Sequence, residues 1–394
     1  MAEQTGKINF NIALFTLIRT AVNTSYRMVY PFLPIFAQGL GVEPATLAMA
    51  LSIRSFLGIF GPFLATIADT YDRKVGMLLG IGLFTAGSGL VGLWPGFWTF
   101  ILGISLVLLG NGVFIPSMNA FLGDRIPYEK RGRVLAITEM SWAMAFIIGI
   151  PLVRFGIETY SWVTPFLVFM VIGAVLLVLS IWLVPSGKVV QSQSVAPWRN
   201  LSLVFRSWPA VAGLLAGVLF TSANETINLI FGVWIEQQFG LDFNALTAAS
   251  IVIGVSEFGG EIMTSIWLDS VGKRRMIWIF LGLNCLAAVL LPFAGGKLGW
   301  AMAGLGFFYI TFEIVLVSAM TLMTEVLPSA RATMLAATIG GFSLGRMLGD
   351  LFAPSLFGVG FWASCLAAIV LNAVAGVLLT QVKVHDRAQT EGLV

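Results

Sequence analysis

The chain has 394 residues, of which 58% are hydrophobic and only 10% charged, with 43 Gly and 31 Phe. A soluble domain carries about 25% charged residues, so this composition excludes a water-soluble fold and points to a chain built for lipid. The net charge of +3 is no basic footprint for nucleic acid, because the basic residues are spread over turns rather than gathered on one patch.

Taken in order, apolar stretches bounded by charge, Gly and Pro predict twelve membrane-spanning helices, each of about 20 residues or more. The first six run at about residues 8–38, 45–68, 75–93, 97–122, 134–157 and 161–184. A polar connector, 185–209, is the one long break, and its LSLVF piece suits the membrane surface. Six more follow at about 210–238, 245–268, 276–294, 298–326, 333–357 and 360–382, and then a polar tail. The expected domains are a six-helix bundle over 1–184, the connector, and a second bundle with a short tail over 210–394. The segment before the first span carries no cleavable leader pattern, so that span is expected to be retained.

The two bundles read as one unit written twice. Gly61–Gly76 carries Asp69, Arg73 and Lys74, and 200 residues later Asp269, Lys273 and Arg274 repeat that pattern. Arg131, Leu135, Ala136 and Thr138 return as Arg331, Leu335, Ala336 and Thr338 at the same offset. Of 22 Lys and Arg, 16 fall in the termini and one alternate set of turns, and only Arg154 and Lys297 in the other set. That asymmetry places both termini and the connector in the cytoplasm of a multi-pass cell-membrane protein. Trp94, Trp98, Trp162, Trp198, Trp208 and Trp300 lie at predicted interfaces, as an aromatic belt requires.

The charged turns resemble the signature of the major facilitator superfamily. The second copy keeps Asp269, Gly272, Lys273, Arg274 and Arg275, with Ser265 in place of the first glycine. In the first copy Ala65, Thr70 and Asp72 depart from the pattern around Asp69, Arg73 and Lys74. The resemblance implies an all-α membrane protein of two pseudo-symmetric six-helix bundles. It also implies a cytoplasmic gating role for Asp69, Arg73, Lys74, Arg131, Asp269, Gly272, Lys273, Arg274, Arg275 and Arg331. Gly149-Ile150-Pro151 is similar to the Gly-Pro element of the drug and sugar efflux branches, whereas Leu106 stands four residues before Gly110, where those branches carry an arginine.

Ionisable residues within spans are costly and by default face a cavity or a partner. Arg19, Asn23 and Arg27 share one face of the first span, and Arg54 lies on the second. The second half supplies mainly acids: Asn224, Glu225 and Asn228, then Glu257 and Glu261, then Glu313 after an aromatic run of Phe307, Phe308, Tyr309 and Phe312. Glu139 sits nearer the cytoplasm, and Arg346 and Asp350 are four residues apart, where they can pair within one helix. Two roles stay open for these residues. They can form ion pairs across the halves, such as Arg27 or Arg54 with Glu225, or they can bind substrate and carry a proton. With Trp142 and Trp234, the aromatic run suits either core packing or stacking on a solute.

The resulting expectation is a monomeric secondary transporter that moves a small organic or amphiphilic solute by alternating access, with proton-coupled efflux. An importer or exchanger of organic anions using the arginines of the first two spans is the alternative. A non-transporting receptor and a polytopic enzyme are weaker readings. The only histidine, His385, lies in the tail, and no phosphate-binding loop is visible. Neither cofactor nor metal is expected, and Cys285 and Cys365 are too few for a disulfide framework or metal cluster.

Overall fold

The structure is a computed structural model that describes residues 2–61, 72–126, 134–135, 137–186, 197–240, 242–327 and 330–382. Helix α1 (Ala2–Arg27) ends in a turn over 28–32 and resumes as α2 (Leu33–Leu40). The break has a chemical cause. Pro31 has no amide hydrogen to donate and disfavours a helical Tyr30, while Pro34 sits in the first turn of α2, where a missing donor costs nothing. Gly41 stops α2 at φ 68°, and Pro44 opens α3 (Pro44–Gly58). Next come α4 (Arg73–Leu93), α5 (Phe97–Arg125), α6 (Ile137–Thr159) and α7 (Thr164–Leu183). The connector supplies α8 (Pro197–Arg206). Helix α9 (Trp208–Asn228) breaks at 229–230 before α10 (Phe231–Phe239), and α11 (Phe243–Val271) follows. The last four are α12 (Lys273–Leu290), α13 (Leu298–Val326), α14 (Arg331–Val359) and α15 (Phe361–Leu379).

The 200-residue repeat is visible in this order. Helices α4 and α12 begin at Arg73 and Lys273, and the first helix of each half breaks at matching places, after Arg27 and after Asn228. Thr138 and Thr338 are both buried and both return their hydroxyl to a carbonyl of the preceding turn. Where the copies differ in sequence, the turns differ in shape. Gly272 enters α12 at φ 89°, a conformation that favours glycine. Asp72, its counterpart, holds φ −54° and caps α4 by accepting the Lys74 amide at 2.9 Å.

Every regular element among the described residues is helical, and the all-α membrane fold is the one expected. Nine helices among the described residues are long and apolar enough to cross a bilayer. The pair α2 and α3 passes the same test together, with a 104° turn between them. That turn is the reversal of the chain between the first two predicted spans. Helices α1 and α14 are long but fall outside this set. They carry Arg19 and Arg27, and Arg346 and Asp350, so charge lowers their hydropathy where the protein interior receives them.

Within the first half α4 packs on α5 and α7, and glycine sets the distance: a Cβ on Gly80 would lie 2.7 Å from the Gly110 carbonyl oxygen. Within the second half α9 lies against α14 and α15, and α13 against α11 and α12. Among the described residues the halves pack chiefly through α3 with α14, α6 with α11, and α2 with α10. The outer faces are apolar and exposed, including Val171, Val175, Leu286 and Val370. Trp94, Trp98, Trp208 and Trp300 are exposed at helix ends. We call the end carrying Arg73, Arg125, Arg206, Lys273 and Arg331 the basic end, and the end at Gly41, Trp94, Gly240 and Gly360 the opposite end.

Candidate functional site

A cavity of about 450 Å³ lies between the halves, with walls from α1, α6, α9, α11, α13 and α14. Its deepest ion pair joins the two halves. Arg27 donates to both carboxylate oxygens of Glu257, at 2.6 and 2.5 Å. The same guanidinium lies 3.6 Å from the ring centroid of Phe146 and 4.2 Å from that of Trp142. Aromatic faces thus shield a pair that is 3% and 5% exposed. Such a pair keeps two charges tolerable inside a membrane protein, and removing either partner strands the other.

The remaining arginines of the first half are engaged locally. Arg19 makes a bidentate pair with Glu139, both contacts at 2.8 Å, and the Glu139 side chain is 47% exposed. Arg54 is fully buried. It donates to the Tyr30 hydroxyl at 2.9 Å and lies over the Tyr26 ring at 4.3 Å. Neither Arg19 nor Arg54 lines the cavity, so the arginines of the first two spans do not together form an anion-binding wall. The expected partner differs as well. Arg27 takes Glu257 rather than Glu225, because α11 rather than α9 packs on its neighbour α6.

Glu225 is buried and accepts from the Asn228 amide at 3.2 Å, while the Asn228 carbonyl oxygen accepts from Tyr309 at 2.7 Å. Asp350 does not pair with Arg346 one turn away. It accepts instead from Ser55 of α3 at 2.5 Å, a second link between the halves, because α14 turns that face toward α3. Asn23 donates to Ser141 at 3.3 Å, and the side-chain oxygens of Asn23 and Asn224 have no partner among the described residues.

Three charged side chains on the cavity wall have neither an ion pair nor a hydrogen bond among the described residues: Glu261, Glu313 and Arg346. Glu313 is 4% exposed. Its position depends on Gly260, where a Cβ would come within 2.9 Å of the Glu313 Cβ, so the glycine lets α11 and α13 close up. Phe312 and Trp142 add aromatic wall. Phe308 is buried core and Trp234 stacks on Phe361 at 4.3 Å, so the aromatic run divides between packing and lining.

Exposure rises toward the basic end. Glu225 is fully buried, Glu261 is partly exposed, and Leu316, Val317 and Met320 carry the wall down α13 toward Val326. At the opposite end the two helix breaks meet: a Cβ on Gly232 would lie 2.6 Å from the Tyr30 carbonyl oxygen, and Phe32 faces Phe243 at 6.4 Å. The cavity is therefore closed at the opposite end and opens toward the basic end.

At the basic end Arg73 pairs with Asp124 at 3.5 Å, and Lys74 donates to the Ile181 carbonyl at 2.6 Å. Lys273 pairs with Glu325, and Arg274 donates to the Thr380 carbonyl at 3.1 Å. Asp269, Arg275 and Arg331 are exposed. No hydrogen bond or ion pair engages Asp269 among the described residues. Asp69 and Arg131 lie outside the described residues, as do Lys188 and the polar tail. Ser55 and Tyr26 were invisible as candidates in the sequence. The one available signal was their adjacency to Arg54 and Arg27, since a buried arginine needs acceptors and ring faces near it.

The sequence profile described as Major Facilitator Superfamily matches residues 15–350. The chain belongs to the major facilitator superfamily. This member is 23% identical over 387 residues to the inner membrane transport protein YdhP of Escherichia coli (strain K12), covering 98% of each chain. It is 24% identical over 299 residues to the multi-drug resistance efflux pump PmrA of Streptococcus pneumoniae (strain ATCC BAA-334 / TIGR4), covering 70% of this chain and 71% of that one. The fold also matches the crystal structure of a D-xylose-proton symporter with a TM-score of 0.73 at 15% identity, covering 93% of this chain and 97% of that one. The two relatives and the solved structure are named as a transport protein, an efflux pump and a symporter.

Proposed function

We propose that this superfamily member is a monomeric secondary transporter that exports a small organic or amphiphilic solute in exchange for protons. The observation that carries the reading is Glu313, buried and without an ion pair among the described residues, on the wall of a cavity bridged by Arg27 and Glu257. A buried carboxylate with no ion-pair partner is a group that a proton would neutralise, and it shares the cavity with the bridging pair. Similarity to an efflux pump favours export, and the proton-symporter fold supports a proton as coupling ion.

The halves rock about the cavity and expose it to each side in turn. The basic end is the cytoplasmic side, by the excess of Lys and Arg in its turns, so both termini are cytoplasmic and the state seen faces inward. Disengaged Asp269 fits that state, since a cytoplasmic latch closes when the cavity faces outward. The organic-anion importer has less support, because Arg19, Arg27 and Arg54 are already occupied by Glu139, Glu257 and Tyr30. The test is a set of proteoliposomes with an imposed pH gradient, a fluorescent reporter of lumenal pH and a panel of amphiphilic compounds. Export coupled to protons predicts that some compounds collapse the gradient through wild-type protein and not through Glu313→Gln. Compound movement that ignores the gradient sinks the proton-coupled reading.

A further inference from the structure

Two opposite charges face the cavity with no hydrogen-bond or ion-pair partner among the described residues. Arg346 on α14 is partly exposed on its wall, Glu313 on α13 is buried against it, and α13 and α14 are neighbours. Arg346 lies ~22 Å along its helix from Arg331 at the basic end, and Glu313 lies ~20 Å from Val326 at the same end, so the two sit at one depth. They form no ion pair with each other and no hydrogen bond or ion pair among the described residues engages either, though each lies within electrostatic reach of another charge on the same wall, Arg27 for Glu313 and Glu225 for Arg346. Elsewhere in the interior the arginines have found partners: Arg27 a carboxylate, Arg19 a carboxylate, and Arg54 a phenol and two ring faces. Arg346 is the exception among them. Trp142 and Phe312 also line the cavity.

We infer that the solute this cavity takes is a zwitterion with an aromatic or branched apolar body, its carboxylate or phosphate held by Arg346 and its ammonium by Glu313. A guanidinium offers two parallel donors to a planar anion. A buried carboxylate in a cavity also lined by Trp142 and Phe312 suits an ammonium group, by charge and by ring faces. The inference rests on the transporter reading for its biology but not for its test, because it is measured as binding, without flux.

The probes are 4-phenyl-phenylalanine as the zwitterion, its methyl ester as the cation-only form, and its N-acetyl derivative as the anion-only form. Purified protein in detergent is titrated with each, and affinity is read by calorimetry alongside thermal stabilisation. The expected result is that the zwitterion binds at least about tenfold more tightly than either single-charge form. Arg346→Gln should abolish the preference over the ester and leave the preference over the N-acetyl form. Glu313→Gln should do the reverse. Equal binding of ester and zwitterion to wild type would overturn the inference in favour of a plain organic cation, and equal N-acetyl binding would overturn it in favour of an anion. No binding by any of the three at millimolar concentration also overturns it. Discrimination among the probes without any proton-linked flux would leave the two-pole site standing and remove the transporter reading.

Discussion

At the scale of single residues, the interior is organised by which charges are paired. Arg27 and Glu257 are buried on opposite halves and hold each other, so their contribution is best seen when one is lost. Glu257→Gln or Arg27→Gln alone is expected to lower stability by about 3–5 kcal/mol, because a lone buried charge remains. The double substitution should recover most of that loss, and thermal unfolding of the three variants in one detergent checks it. Equal destabilisation by the double variant would show that the pair is not the contact that matters. Much of this layer was legible in the sequence: any charge within an apolar span must face inward, and Arg19, Arg27, Arg54, Glu225, Glu257, Glu313, Arg346 and Asp350 all do. The pairing was not legible. Spacing along one helix favoured Arg346 with Asp350, but Ser55 on a different helix takes Asp350, and only helix-on-helix packing decides that.

At the scale of elements, glycine governs how closely helices approach. Gly80 and Gly110 bring α4 and α5 into backbone contact, so Gly80→Leu is expected to lower the yield of folded protein and its thermal stability; an unchanged melting temperature would mean that α4 and α5 do not need this approach. Gly232 acts differently, because it packs on the carbonyls of Tyr30 and Pro31 where the two helix breaks meet. Gly232→Val should leave the protein folded but hold the opposite end apart, and a membrane-impermeant thiol reagent added from that end should then reach a cysteine placed at Asn228. Continued protection of that cysteine would contradict the closure described here. The sequence announced the break after Arg27 through Pro31 and Pro34. It gave no such sign at 229–230, where no proline stands and the matching break follows from the fold's internal repeat.

At the scale of the whole molecule, duplication was legible because charge in lipid is rare enough to mark a register: Asp269, Lys273 and Arg274 repeat Asp69, Arg73 and Lys74. The state of the molecule was not legible, since the same residues serve a cavity open to either side. Asp269→Asn should impair cycling more than it impairs folding, through loss of a latch used only when the basic end closes; wild-type flux in that variant would remove the latch. The most direct test of the account is a pair of distances. In protein with Cys285 and Cys365 replaced by Ala, spin labels at Gly123→Cys and Ser270→Cys report the basic end, and labels at Tyr160→Cys and Lys297→Cys report the opposite end. Pulsed electron resonance between pH 5 and pH 8 should show the two distance distributions moving in opposite senses, one widening as the other narrows. If both ends widen together, or neither changes, the halves do not alternate about the cavity and the account is wrong.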